Sequence, residues 1–474
     1  MNSPVSLVKQ GNVAVIRVDN PPVNALSQAV RAGLVSCLLS AEQDDAIKAI
    51  VIHCHGRTFI AGADISEFGK PPLTPHLPEV LAKIDACTKP VVAALHGNVL
   101  GGGFEVALSC HYRLAVKGTK LGLPEVTLGL IPGAGGTQLL PRVAGVERAL
   151  TMITSGKPAL AESLVDCGVI DQLLEKSSTD DLLTQAISYA QALIQQNKGV
   201  RPTSQLEVDK ASYALDTFEK WRSKLSKKAR GQQAPQCCID SIENATLLPF
   251  KEGMLKEREM FVACRDSSQS RAMRHAFFAE RKAAKLPIPP ADGPDLPVLN
   301  IDSVAIIGAG TMGGGIAMCF AKAGLSVKLL EMSEENLARG IKAIRERYNQ
   351  ALKRGLMSEA QLENCMALIQ GTCDYQDLAE VDLVVEAAFE TMAVKKQIFS
   401  KLDEVCKADA ILASNTSYLD INLIAQATAR PESVVGMHFF SPANIMKLLE
   451  IVNADQTAPE VVEAMQQLAK KLRK

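Results

Sequence analysis

The feature that most constrains the fold is a short apolar run from Asp302 that enters a glycine turn and continues as a helix pattern. The turn, Gly308 to Gly313, reads Gly-Ala-Gly-Thr-Met-Gly, and the next β-branched run ends in the acidic Glu331. A strand, this glycine spacing, a helix and a carboxylate further on together form the dinucleotide-binding fingerprint of doubly wound α/β sheets. We therefore predict a Rossmann-type domain here.

The glycines of this turn have separate roles. Gly308 makes the turn, Gly310 lets a pyrophosphate approach the main chain, and Gly313 permits close packing of the helix. The predicted contacts to the cofactor along the turn are Gly308, Gly310, Thr311, Met312 and Gly313.

Glu331 predicts which dinucleotide is bound. We expect its carboxylate to accept hydrogen bonds from the adenosine ribose hydroxyls and to repel a 2′-phosphate. The next residues are Met332 and Ser333, not arginine. The sequence therefore favours NAD over NADP.

A proline-rich stretch, residues 286–300, divides the chain. Its five prolines can sustain neither a helix nor a central strand. Residues 13–195 alternate short β-branched runs with helix-like stretches, whereas residues 198–285 are charged and have helical spacing. We predict an α/β domain at 1–195, a helical extension and linker at 196–295, and the dinucleotide-binding domain at 296–474.

Composition excludes several classes of function. Lysine plus arginine (51) and aspartate plus glutamate (52) nearly cancel, so no overall field attracts nucleic acid or a membrane surface. The twelve cysteines form no CxxC pair, which argues against a metal site or a disulfide framework. The chain start lacks the order of a signal peptide, and no apolar run of about 18 residues occurs. We expect a reducing, cytoplasmic compartment.

Two glycine-bordered stretches suggest a site that binds an oxyanion. Gly62 and Ala63, after an apolar run, let a ligand approach the main chain, although a plain glycine turn is the alternative. Residues 96–108 run from a strand through three glycines into an apolar helix pattern. The N–H groups at such a helix start suit a developing negative charge.

Two glutamates accompany these stretches. Glu105 lies in the first turn of that apolar helix, where it is either a favourable first-turn acid or a residue that chemistry requires. Glu125 is the only charge in residues 121–141. Two such carboxylates are what general acid-base chemistry on an activated carbonyl compound needs.

The AGADI, GGGxE and PEVxLGxxPGxGGTQ stretches resemble the enoyl-CoA hydratase/isomerase (crotonase) family over about residues 1–190. The resemblance implies a ββα spiral fold, acyl-CoA substrates, and an oxyanion hole at the N–H groups of Ala63 and Gly102. It assigns water activation to Glu105 and protonation of C2 to Glu125. Keeping both glutamates favours hydration of 2E-enoyl-CoA over thioester hydrolysis. A Δ3 to Δ2 isomerase remains open, because it needs only a proton shuttle.

The VDLVVEAAFE, ILASNTSYL and VVGMHFFSPANIMKLLEIV stretches resemble the L-3-hydroxyacyl-CoA dehydrogenase family. Judged alone, His438 also fits a buried, satisfied histidine. The resemblance makes His438 the general base, Glu450 the carboxylate that orients it, and Ser417 the hydroxyl that contacts the substrate oxygen. It puts Glu386 and Asn415 near the cofactor.

The order of the two resemblances matches the multifunctional β-oxidation enzymes of bacteria and peroxisomes. It implies hydration followed by NAD-dependent oxidation, peroxisomal location in a eukaryote, and leaves open a thiolase subunit or self-association as partner. In the family a helical domain follows, whereas this sequence ends at Lys474, so we expect weak oxidation. The alternatives are a hydratase/isomerase whose NAD-binding domain is non-catalytic, and a non-catalytic binding subunit. The presence of both Glu105 and Glu125 argues against a non-catalytic binding subunit.

Overall fold

The computed structural model describes residues 3–64, 67, 70–71, 73–175, 179–227, 229–283 and 299–474. The chain forms two compact units, Met1–Arg281 and Lys282–Lys474. Most of the proline-rich stretch, in which we predicted a domain boundary, lies outside the described residues. The division into three parts remains a prediction. None of the helices in the described ranges is long and apolar enough to cross a membrane.

The first unit contains two sheets. Its strands are β1 (Val5–Gln10), β2 (Val13–Val18), β3 (Ala49–Cys54), β4 (Val91–Leu95), β5 (Asn98–Leu100), β6 (Tyr112–Val116), β7 (Lys120–Gly122), β8 (Ala159–Leu160) and β9 (Gln172–Leu174). The larger sheet has the order β1-β2-β3-β4-β6-β9, and the smaller one has the order β5-β7-β8. The β1–β2 pair is antiparallel, and the other pairs of the larger sheet are parallel.

The helices of the first unit pack on both faces of the larger sheet and on one another. They are α1 (Gln28–Gln43), α2 (Leu77–Asp85), α3 (Gly102–Ser109), α4 (Gly136–Ala144), α5 (Val146–Ser155), α6 (Thr179–Gln195), α7 (Thr217–Ser226), α8 (Ala234–Leu247), α9 (Phe250–Asp266) and α10 (Ser268–Ala283). Strands β3 and β4 are buried on both faces, as parallel strands between helix layers require. Helices α8 and α9 pack on α4 and so approach the predicted glutamate site.

The second unit is a single seven-stranded sheet with helices. Its strands are β10 (Ser303–Ile307), β11 (Ser326–Leu330), β12 (Ile369–Thr372), β13 (Leu383–Glu386), β14 (Ile411–Ser414), β15 (Val434–Phe439) and β16 (Leu449–Asn453). Its helices are α11 (Thr311–Lys322), α12 (Glu334–Lys353), α13 (Glu359–Ala367), α14 (Met392–Val405), α15 (Ile421–Ala425) and α16 (Pro459–Leu472).

The strand order of this sheet is β12-β11-β10-β13-β14-β15-β16. The first six strands are parallel and β16 runs antiparallel to β15. Numbered along the chain, the parallel strands follow the order 3-2-1-4-5-6 of the doubly wound fold, whose ligands bind beyond the carboxyl ends of the strands. The predicted Rossmann-type fold is confirmed.

Candidate active sites

The two segments predicted to form an oxyanion hole lie against each other in the first unit. Leu100 donates its N–H to the carbonyl of Ile60 at 3.1 Å. A Cβ added at Gly103 would lie 2.1 Å from that same carbonyl oxygen, and one at Gly102 would lie 3.8 Å from the nitrogen of Ala63. Gly102 and Gly103 therefore allow the start of α3 to pack closely against the segment that contains Ile60 and Ala63.

Glu105 is held inside the protein by main-chain donors. It lies in the first turn of α3 and is only 2% exposed. Its Oε1 accepts hydrogen bonds from the N–H groups of Ala134 and Gly136, both at 2.9 Å. Burial raises the pKa of Glu105, and the two N–H donors oppose this rise. The carboxyl is thus buried but has partners that favour its ionised form.

Glu125 has a different environment. It begins a short 3-10 turn, Glu125–Leu128, and its Oε1 lies 2.9 Å from where a Cβ on Gly101 would stand. Its Oε2 is shielded from solvent and has no hydrogen-bond partner among the described residues. Burial, and then the charge of Glu105, raise the pKa of Glu125 well above its ordinary value. Glu105 thus has two main-chain donors that favour its ionised form, whereas Glu125 has one oxygen without a partner among the described residues, and such a difference separates an acid from a base.

A third buried glutamate, which the sequence analysis missed, lies in the same centre. Glu257, on α9, is 1% exposed. Its Oε1 accepts the N–H of Gly135 at 2.6 Å, and its Oε2 accepts both the N–H of Thr137, at 2.9 Å, and the Thr137 hydroxyl. Burial and the charge of Glu105 raise the pKa of Glu257 to about 8. The charge of Glu105 thus raises the pKa of both Glu125 and Glu257.

In the second unit the glycine turn leaves room for a ligand at one position only. Gly308 has a φ of +98°, and a Cβ there would lie 2.9 Å from the carbonyl oxygen of Ala387. A Cβ on Gly313 would lie 1.8 Å from the carbonyl oxygen of Gly308. At Gly310, by contrast, nothing lies within 4 Å of an added Cβ. The turn thus fits a pyrophosphate that approaches the main chain at Gly310.

The remaining predicted cofactor residues of this edge frame the turn. Thr311 begins α11, and Met312 packs against the core. Glu331 follows β11, and its carboxylate accepts the N–H groups of Ala309 at 3.0 Å and Met332 at 2.8 Å. A carboxylate has about four lone-pair directions, so Glu331 keeps acceptor capacity for ribose hydroxyls.

His438 and Glu450 are cross-strand neighbours. They stand directly opposite each other on β15 and β16, and Nδ1–H of the histidine donates to Glu450 Oε2 at 2.7 Å. Nε2 is therefore the basic nitrogen, and the Ser417 hydroxyl lies 3.2 Å from it. Asn415 accepts the N–H of Phe439 through Oδ1 at 2.8 Å and so ties β14 to β15. The geometry is that of a general base oriented by a carboxylate.

A buried charged cluster supports this serine. Lys395 and Glu386 are both 0% exposed, and Lys395 Nζ donates to the Glu386 oxygens at 3.0 and 2.8 Å. Glu386 also accepts the Ser414 hydroxyl at 2.7 Å. Lys395 pairs with Glu390 at 3.1 Å, and Glu390 accepts the N–H of Ser417 at 2.9 Å. Both Glu386 oxygens are bound within the protein, and a cofactor role for Glu386 remains a prediction.

Comparison with known families identifies both parts of the chain. Residues 8–229 match the family described as "Enoyl-CoA hydratase/isomerase". Residues 303–474 match "3-hydroxyacyl-CoA dehydrogenase, NAD binding domain". The chain joins these two families in one polypeptide. The predicted resemblance, fold class and NAD-binding character are confirmed.

Relatives with the same combination cover almost the whole chain. A "Peroxisomal bifunctional enzyme" of Danio rerio is 41% identical over 469 residues, which are 99% of this chain and 64% of that protein. The Homo sapiens protein of the same name is 39% identical over 466 residues, 98% of this chain and 63% of that protein. The chain thus spans under two thirds of the length of these relatives. A solved 3-hydroxybutyryl-CoA dehydrogenase from Escherichia coli is 43% identical, covers 37% of each chain and has a TM-score of 0.37.

Glu257 and Lys395, which the sequence analysis did not single out, share a sequence signal. In α9 the buried positions are Gly253, Glu257 and Cys264, and in α14 they are Lys395, Phe399 and Leu402. Glu257 lies on a core-facing stripe of α9 with i, i+4 and i+11 spacing, and Lys395 lies on one of α14 with i, i+4 and i+7 spacing. A charged residue on such a stripe is expensive unless it has partners.

Proposed function

We propose that the hydratase/isomerase domain adds water to 2E-enoyl-CoA and that the dehydrogenase domain uses NAD to oxidise the resulting 3S-hydroxyacyl-CoA. These are two successive steps of fatty-acid β-oxidation. The observation that carries the proposal is the pair Glu105 and Glu125. Glu105 is buried and accepts two N–H donors, whereas Oε2 of Glu125 is shielded from solvent and has no partner among the described residues.

In the hydration step, the N–H groups of Ala63 and Gly102 would bind the thioester oxygen and stabilise the enolate. Glu105, ionised, takes a proton from the water that adds to C3. Glu125, protonated, gives its proton to C2. Each glutamate thus finishes the hydration in the other protonation state, and one proton must pass between the carboxyls or through solvent before the next cycle.

In the oxidation step, Nε2 of His438 takes the proton of the 3-hydroxyl group, and Glu450 stabilises the resulting imidazolium. The Ser417 hydroxyl would contact the substrate oxygen. NAD, when bound at the turn around Gly310, supplies the acceptor for the hydride from C3. The open space at Gly310 and the free acceptor capacity of Glu331 support this placement.

The hydratase proposal is tested with crotonyl-CoA and the purified chain, by following loss of the enoyl absorbance. Glu105→Gln and Glu125→Gln keep size but remove proton transfer, so each should lower the rate on the order of 10² to 10⁴ while acyl-CoA binding persists. Glu219→Gln, an exposed first-turn glutamate of α7, is the control. Hydration by the double variant at more than about a tenth of the wild-type rate would contradict the assignment.

The oxidation proposal is tested by NADH formation from 3S-hydroxybutyryl-CoA. Phe389 and Tyr418, the neighbours in sequence of Glu390 and Ser417, are 82% and 75% exposed, and the Glu450 side chain is 50% exposed. Because such a site excludes water poorly, we expect the 474-residue chain to turn over more slowly than the ordinary range of about 1 to 10³ per second. Turnover within that range would contradict this expectation.

The cofactor proposal is tested by fluorescence titration. Glu331→Gln removes a charged acceptor, which should weaken NADH binding roughly tenfold or more and improve NADPH binding relative to NADH. Glu334→Gln, at an exposed position in the first turn of α12, should change neither. A wild-type preference for NADPH would show that Glu331 does not select the cofactor.

A second activity, Δ3 to Δ2 double-bond isomerisation, is favoured by the lone Oε2 of Glu125, because one carboxyl suffices to carry a proton between C2 and C4. With a 3-enoyl-CoA substrate, Glu125→Gln should abolish isomerisation and Glu105→Gln should leave most of it. Equal loss in both variants would count against a one-carboxyl shuttle.

The names of the relatives bear on the compartment. They are called peroxisomal, and we propose the same compartment for this chain if its source is eukaryotic. Association with a thiolase subunit or with a second copy remains a prediction. Co-purification of the tagged chain with a thiolase, followed by size-exclusion chromatography, tests both.

A further inference from the structure

The start of α4 divides its main-chain donors between two carboxylates. Four successive N–H groups point out of this turn. They are those of Ala134, Gly135, Gly136 and Thr137. The first and third donate to Glu105, both at 2.9 Å, and the second and fourth donate to Glu257, at 2.6 and 2.9 Å. Glu105 and Glu257 thus bind one turn through alternate N–H groups.

We propose that Glu257 is a positioning residue for hydration, which fixes the turn that holds Glu105. The inference rests on the proposed hydratase function. Glu257 has no role in that reaction as described above, since the water and C2 are served by Glu105 and Glu125.

The contacts of Glu257 suit positioning. It comes from α9, and it is anchored by the Thr137 hydroxyl, which in turn accepts from Ser241 Oγ at 2.6 Å. Without Glu257 the N–H groups of Gly135 and Thr137 would lose their acceptors inside the protein, where an orphaned donor is costly. The turn would then relax, and the donors of Glu105 would move with it.

The charges around the site give Glu257 a second effect. Glu105 on α3 and the Cys238 thiol on α8 interact electrostatically with both Glu125 and Glu257. Burial and then Glu105 raise the pKa of Glu125, and the charge of Glu257 adds to the rise. As pH increases, ionisation of Glu257 therefore delays loss of the proton from Glu125.

The test compares two substitutions in the full chain, with hydration of crotonyl-CoA measured across pH. Glu257→Gln removes the charge and leaves one of the two N–H donors without an acceptor. We expect kcat to fall roughly 10- to 100-fold through misplacement of Glu105, with KM within about threefold of wild type, and the alkaline limb of the pH profile to move to lower pH. Glu257→Asp keeps the charge but shortens the reach. It should lower kcat similarly and leave the alkaline limb in place.

Glu259→Gln is the matched control. Glu259 lies on the same helix, is exposed, and pairs with Lys256 at 2.8 Å. It should behave as wild type. A purely structural role for Glu257 would reduce the active fraction equally at every pH and leave both limbs unmoved in Glu257→Gln, which would overturn the proposal.

The outcomes distinguish a failure of the proposed hydratase function from a failure of the positioning role of Glu257. If wild type does not hydrate crotonyl-CoA, the proposed function fails before Glu257 is at issue. If wild type is active and Glu257→Gln has wild-type kcat and profile, the positioning role fails alone. Should Glu257→Gln not fold, Glu257→Asp decides: wild-type kcat in that variant overturns the role.

Discussion

Single buried ionisable side chains organise both candidate sites. Glu257 and Lys395 each occupy a core-facing position of a helix, where an aliphatic side chain would be the ordinary choice. Neither is isolated, because Glu257 accepts from the turn at α4 and Lys395 binds two glutamates. Removing one partner of such a buried set is far more damaging than losing a surface pair, since the remaining charge stays desolvated.

We predict that Lys395→Met destabilises the second unit by about 3–5 kcal/mol, because Glu386 would remain buried without a counter-charge. Urea unfolding followed by circular dichroism, with release of bound NADH as a second signal, measures the loss. Lys401→Met on the same helix removes an exposed pair to Glu404 and should cost about 1 kcal/mol or less. Equal unfolding midpoints for the two variants would contradict the prediction.

The proposed acid and base roles of Glu105 and Glu125 predict a bell-shaped pH dependence of kcat/KM. Glu105 must be ionised, so activity falls as pH drops through its raised pKa. Glu125 must be protonated, so activity falls as pH rises through its raised pKa. The residual activity of Glu125→Gln should lack the alkaline limb, and that of Glu105→Gln should lack the acid limb. Retention of both limbs in either variant would exclude this assignment of acid and base.

Local sequence patterns were enough to single out some candidate site residues and not others. Glu105 and Glu125 lie within glycine-rich stretches, so their context is adjacent in the chain. Glu257 contacts a turn some 120 residues earlier, and in a charged helix it resembles the solvated glutamates around it. Only its position on the buried face of α9 distinguishes it, and that face can be recognised only once the packing partner of the helix is known.

At the scale of elements, the link from β10 to α11 is held by glycines whose absent side chains serve different purposes. Gly313 permits the helix to touch the turn, whereas Gly310 faces open space. The spacing in the sequence predicted both roles, because the fingerprint combines close packing with access for a ligand.

We predict that alanine separates these two roles. Gly313→Ala places a Cβ 1.8 Å from the carbonyl oxygen of Gly308 and should destabilise the unit by about 1–3 kcal/mol. Gly310→Ala meets no protein atom within 4 Å, so stability should change little while NADH affinity falls about tenfold or more, roughly 1.4 kcal/mol. Thermal unfolding and NADH titration of both variants test this pair. Unchanged NADH affinity in Gly310→Ala would rule out a pyrophosphate at that turn.

The pairing of β15 with β16 could be anticipated only in part. The family resemblance predicted that Glu450 orients His438, but not that the two residues would be directly opposed in an antiparallel pair. That pairing depends on register, which is set by which face of each strand is buried and by the intervening turn. Neither is readable from the short run between the two residues.

At the scale of the whole molecule, each candidate site draws its residues from one compact unit. Glu105, Glu125 and Glu257 belong to Met1–Arg281, whereas Gly310 and His438 belong to Lys282–Lys474. We predict that substitutions in the two sites act independently. Glu105→Gln should abolish hydration and leave the NADH dissociation constant unchanged, and His438→Gln should abolish NADH formation and leave the hydration rate unchanged. A change in hydration of more than about twofold in His438→Gln, roughly 0.4 kcal/mol, would reveal coupling between the units.

The antiparallel strand that delivers Glu450 is the last strand of its sheet, and all of its residues are half-buried or exposed. Marginal strands of this kind open locally at free energies well below that of global unfolding, and their amides exchange with solvent first. Fraying of β16 would separate the carboxylate from the histidine while the parallel strands that carry the glycine turn remain intact. On warming, the second unit should therefore lose its proton-transfer pair before it loses its dinucleotide.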